Sequence, residues 1–118
     1  MSQVSELIPA VRSELEEKFY LVSADVDDIE LAQKLAKTVL KDIYKSQIVW
    51  NEDFIKACDG RIETLESTPN PNSKHDVINY THFIGWNTSG ISVYKARRNT
   101  HIGEVEKLKN KIALIDLI

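Results

Sequence analysis

Apolar residues in the first part of the chain recur at three- and four-residue steps. Val4, Leu7, Ile8, Val11, Leu15 and Phe19 fall on one stripe of a 3.6-residue helix, which predicts a helix over 3–19. Pro9 lacks a backbone N–H and disfavours helix at Ile8, so the regular part is expected to begin there, with Pro9 in its first turn and the residues before it as an arm. Ser23-Ala24-Asp25-Val26-Asp27-Asp28 is rich in capping side chains and acids, which suit the positive end of a helix dipole. Ile29, Ala32, Leu35, Ala36, Val39, Leu40 and Ile43 then form a wide stripe, with Lys34, Lys37, Lys41 and Lys45 mostly off it, predicting a second helix over 27–45. Asn51-Glu52-Asp53 reads as another capped start, leading to Phe54, Ile55, Cys58, Ile62 and Leu65 in a third helix. Glycine costs about 1 kcal/mol against alanine inside a helix, so Gly60 is a point where this helix is open to division.

The pattern changes after Ser67-Thr68-Pro69-Asn70-Pro71-Asn72-Ser73, a loop signal because each X-Pro step pushes its predecessor out of the helical region. Segments 76–86 and 91–98 are rich in β-branched and aromatic residues, and Asn87-Thr88-Ser89-Gly90 between them is a turn signal. These features predict a β-hairpin over 76–98, with Ile78, Tyr80, His82, Ile84 and Trp86 as its core face. A helix over 76–85 is the competing reading, because Val77, Tyr80, Thr81 and Ile84 also fit helical steps.

Asn99-Thr100 can cap a last helix carrying Ile102, Val105, Leu108, Ile112 and Ile115, with Leu114 and Leu117 widening the stripe. The steps joining Val105, Leu108, Ile112 and Ile115 match the a/d seam of a coiled coil, over fewer heptads than such a structure needs by itself. Packing of this row onto the same chain is the first expectation, and a homodimer seam is the second.

Together these elements give an α+β fold, predominantly α. Three or four helices, one β-hairpin and a C-terminal helix share a single core, in one domain covering residues 1–118. Composition agrees with a folded chain, since 42% of the residues are hydrophobic and only four glycines and three prolines occur. The first residues carry acids at helical intervals where a secretory leader would be unbroken apolar sequence, and no apolar run approaches the ~20 residues of a membrane span. A single cysteine, Cys58, suits a reducing compartment. A soluble cytoplasmic protein without membrane association is therefore expected.

Candidate chemistry is sparse. Metal binding would have to draw on His75, His82, His101, Asp76 and Cys58, but His75 and His82 lack the spacing of a helical two-histidine site, so no metal ligands are assigned. The four glycines match neither phosphate-binding pattern, and no cofactor is expected. Cys58 shares the apolar stripe of Phe54, Ile55 and Ile62, where a small buried hydrophobe explains it better than a nucleophile. No catalytic residue is assigned, so an enzyme is the less favoured class.

Charge is uneven along the chain. Residues 1–66 hold 14 acids against 8 bases, whereas residues 67–118 hold 4 acids against 7 bases. Trp86, Tyr94, Lys95, Arg97 and Arg98 concentrate aromatic and basic side chains in the second part, followed by His101, Lys107, Lys109 and Lys111. Two functions follow as expectations. The first is an accessory or regulatory module that binds a protein partner, with these residues or the acidic helices as the contact surface. The alternative is a winged-helix-like module that binds nucleic acid through the basic hairpin and the last helix, with phosphates neutralised by Lys and Arg and bases stacked on flat rings. Residues 53–66 fit a recognition helix poorly, because Asp59, Glu63 and Glu66 surround Arg61 in the sequence and repel phosphate.

Overall fold

The computed structural model describes the backbone of residues 2–67 and 77–118 and the side chains of residues 4–67 and 89–118. A short helix α1 (Ser2–Glu6) precedes three long ones, α2 (Ile8–Ser23), α3 (Ile29–Ser67) and α4 (Val77–Ile115), and no strand occurs among the described residues. The α+β expectation is thereby corrected to an all-helical one. The segment expected as a β-hairpin, 76–98, belongs to α4 from Val77 onward, while residue 76 and the loop residues 68–73 lie outside the described residues.

The physical reason lies in a longer row than the competing helical reading contained. Val77, Tyr80 and Ile84 are followed, one seven-residue step later, by Ile91, and three- and four-residue steps then run through Tyr94, Arg98, His101, Val105, Leu108, Ile112 and Ile115. Every member of that row from Ile91 onward is buried or half-buried, as helical packing requires. Burial of such a row outweighs the β preference of individual residues. The glycine of the supposed turn takes no left-handed conformation; a Cβ at Gly90 would stand 3.2 Å from Leu65 Cδ1, so the residue serves close helix approach.

The chain divides into two compact units, Met1–Trp50 with Glu104–Ile118 and Asn51–Gly103. In the first unit, Pro9 sits in the opening turn of α2, where its missing N–H costs nothing. Asp28 starts α3: its carboxylate accepts the Leu31 N–H at 3.2 Å and its carbonyl accepts the Ala32 N–H at 2.9 Å. Ala32, Ala36, Leu40 and Tyr44 then form a buried ladder at four-residue steps. Val11, Leu40, Tyr44, Leu108, Leu114 and Ile115 make the core, with Leu7, Ile8, Leu15, Ile43, Ile48 and Ile112 packed against it. Each aliphatic side chain so enclosed contributes about 1.5–3 kcal/mol. Of the expected dimer-seam residues, Val105, Leu108 and Ile115 are buried within this unit and Ile112 packs against its core.

In the second unit, parts of α3 and α4 run antiparallel. Asn51 meets His101, Asp59 meets Arg98, and Leu65 lies beside Gly90, so residue numbers rise on one helix as they fall on the other. Asn51 does not cap a new helix. It lies in the continuous α3, seven residues past Tyr44, at a position facing α4. Gly60 likewise interrupts nothing, and its carbonyl accepts the Thr64 hydroxyl at 2.9 Å. Thr100, expected near the start of a helix, donates to the Ala96 carbonyl at 3.1 Å in the interior of α4.

Candidate functional site

The seam of the second unit is unusually polar for a helix pair. Asn51 is only 6% exposed, and its Oδ1 lies 2.7 Å from His101 Nδ1. The imidazole also packs at a tilt against Phe54, with 4.3 Å between ring centroids. Three residues earlier on α4, Arg98 Nη1 donates to Asp59 Oδ1 at 3.1 Å. Arg98 Nε is buried and finds no hydrogen-bond partner among the described residues, which offsets part of that gain. Cys58 lies between these polar layers, only 3% exposed, as a small apolar residue of the seam.

Farther along the same pair, a groove of about 420 Å³ opens. Arg61, Thr64 and Leu65 line it from α3, and Ser89, Gly90, Val93, Tyr94 and Arg97 line it from α4. The Arg97 guanidinium stands 5.6 Å from the Tyr94 ring centroid. Among the described residues no carboxylate pairs with Arg61 or Arg97, in contrast to Arg98.

The basic-aromatic group expected from the sequence is therefore divided. Tyr94 and Arg97 share the groove, Arg98 turns to Asp59, and Lys95 is exposed without lining the groove. Trp86 belongs to α4, and its side chain lies outside the described residues, as do those of His75 and His82. Among the described residues no three His, Cys, Asp or Glu side chains gather as metal ligands. Arg61 is the member that sequence reasoning set aside. Its signal was the helical spacing: Glu63 and Glu66, two and five positions on, project to other sides of α3, while Thr64 and Leu65 share its face.

The first unit carries a different polar cluster and a different surface. Tyr44, 2% exposed, donates its hydroxyl to Glu14 Oε2; Lys111 Nζ lies 3.5 Å from Glu14 Oε1 and 5.3 Å from the Tyr44 ring centroid. Burial raises the Tyr44 pKa above its ordinary value, and the hydrogen bond and negative charge of Glu14 raise it further. This cluster ties α2, α3 and α4 together. On α3, beside the buried ladder, Leu31, Leu35 and Val39 repeat at four-residue steps and remain 47%, 38% and 39% exposed. Val49 and Trp50 are exposed farther along the helix; exposed Lys34 lies beside Leu31 and Leu35, and exposed Asp42 continues the row past Val39.

No family model matches the chain, and no curated protein or solved structure matches it. No helix among the described residues is long and apolar enough to cross a membrane.

Proposed function

We propose that this protein is an accessory module that docks a partner protein through the exposed apolar row of α3. The observation that carries the reading is Leu31, Leu35 and Val39, three aliphatic side chains in register on one face and each more than a third exposed. Apolar anchors at i, i+4 and i+8 match the contact pattern of an amphipathic helix laid alongside. The occupant is an amphipathic helix of another protein, with an acidic residue beside its apolar stripe to meet Lys34 and a basic one to meet Asp42. The buried, unpaired Cys58 fits a reducing compartment as the setting.

The test places a photoreactive amino acid at position 35 in cells and identifies the cross-linked species by mass spectrometry, with Leu31→Glu as the control. The reading expects one protein, attached through a helical segment whose apolar stripe is flanked by charges of both signs, and its loss in the Leu31→Glu variant while helix content by circular dichroism is retained. Cross-links only to a second copy of the chain would replace this reading with self-association. Cross-links unaffected by Leu31→Glu would remove the apolar row as the anchor.

A further inference from the structure

The second unit offers a site of a different kind, independent of the docking row because it draws on none of its residues. From the geometry of the groove between Arg61 and Arg97 we infer that it binds a nucleotide, with the phosphate on the two guanidiniums and the base against the apolar floor. Two arginines reach the groove from different helices, and neither is committed to a carboxylate among the described residues. A planar guanidinium matches phosphate geometry with paired donors, and each of the two helices brings one to the groove. The volume, about 420 Å³, falls in the range of small-molecule clefts.

Charge on the α4 side favours an anion, although the acids and bases of the unit's described residues balance, with Glu52, Asp53, Asp59, Glu63 and Glu66 on α3. Residues 77–103 contain Lys95, Arg97 and Arg98 and no acid at all. On α3 the nearby acids are accounted for: Asp59 is paired with Arg98, while Glu63 and Glu66 do not line the groove. The floor suits a flat, weakly polar ring. Leu65 and Val93 are aliphatic, the Tyr94 ring stands under Arg97, and Gly90 leaves the space that a Cβ would take beside Leu65.

A nucleotide can arrive free or as part of a single strand, and the test separates these sources. Adenosine monophosphate, an adenosine RNA decamer and adenosine are each titrated against the full chain by isothermal calorimetry, at low and at physiological salt. Binding of the monophosphate identifies a free nucleotide as ligand, whereas binding of the decamer alone, weakening steeply with salt, identifies a strand; either outcome supports the site. Arg61→Gln and Arg97→Gln are each expected to weaken binding by about tenfold, the loss of one charge-assisted contact. Both side chains are exposed, so these variants keep the fold, and circular dichroism checks this. Lys95→Gln, outside the groove, is expected to leave affinity within about twofold, as one distant surface charge should. Adenosine binding as tightly as the monophosphate, no binding by any probe, or equal losses in Lys95→Gln and Arg97→Gln would each overturn the inference.

Discussion

The two compact units are built from the same two long helices but are held by different chemistry. Where α4 presents Val105, Leu108, Ile112 and Ile115, the first unit closes an apolar core with α2 and α3. Where it presents Tyr94, Arg98 and His101 at the same heptad positions, the second unit adds Asn51–His101 and Asp59–Arg98 to a smaller apolar set, the buried Cys58 and Ile62 with the half-buried Leu65 and Ile91. An apolar row contributes stability in proportion to the area it covers. Polar seam pairs contribute less, because desolvation offsets most of their attraction, but they penalise any shifted register that separates the partners. The difference teaches that one helix can trade stability for positional definition along its length. The second unit, where that trade is made, is also where the groove between Arg61 and Arg97 opens.

The comparison is broken most severely by removing an apolar anchor. Leu40→Ala should cost about 2–5 kcal/mol in urea denaturation, because Leu40 is almost fully enclosed in the core of the first unit. A loss below 1 kcal/mol, as a rough threshold, would mean that this core is not what holds the unit. In the second unit, Asn51→Ala should cost about 1–3 kcal/mol by depriving the half-buried His101 of its Asn51 bond. Replacing both partners, Asn51→Leu with His101→Leu, should recover that loss or exceed it, which sharpens the distinction between stability and register. If the double variant were as destabilised as the single one, the polar pair would be a net stabiliser and the contrast between the units would weaken.

Tyr44 supplies a pH signature for the first unit. Its pKa is raised in the folded state, so the neutral phenol is favoured there, and the associated stability is full below the ordinary value of 10.0 and declines as pH rises above it toward the folded value. Tyr44→Phe should lose about 1 kcal/mol at neutral pH, with the hydroxyl–Glu14 bond, and should show a flatter decline above about pH 10 than the unaltered protein. Parallel declines in alkaline denaturation profiles would assign the titration to other groups. The smallest effects are expected at glycines. Gly60→Ala has open space for the new methyl and should stabilise α3 by roughly 0.5–1 kcal/mol, whereas Gly90→Ala must displace Leu65 and should gain less or nothing in thermal melts.

The helical pattern was legible wherever the seam is apolar. Val11, Ala32, Ala36, Leu40, Val105, Leu108 and Ile115 lie on expected stripes and are buried, whereas Ile29, Leu35 and Val39 of the same stripes are exposed and the buried Tyr44 lies on none of them. It was obscured where the seam turns polar. Asn51 resembles a helix cap and Asn99-Thr100 resembles another, so each appeared to divide a helix that in fact continues past it. Arg98 and His101 hid the link between the row around Tyr80 and the row around Val105, and β-branched content then favoured strands. The groove was half visible in the same way. Tyr94 and Arg97 stand close together in sequence, but Arg61 reaches them only through the antiparallel return of α4, which no local pattern encodes.

Residue-resolved hydrogen exchange tests most directly the claim that an apolar seam holds one unit and a polar seam the other. Amides of residues 105–115 and 32–44 should exchange with the slowest class of the protein, and those of residues 91–101 and 52–65 should open at lower free energy while remaining helical. Equal or greater protection over 91–101, or exchange there as fast as in an unstructured peptide, would contradict the account.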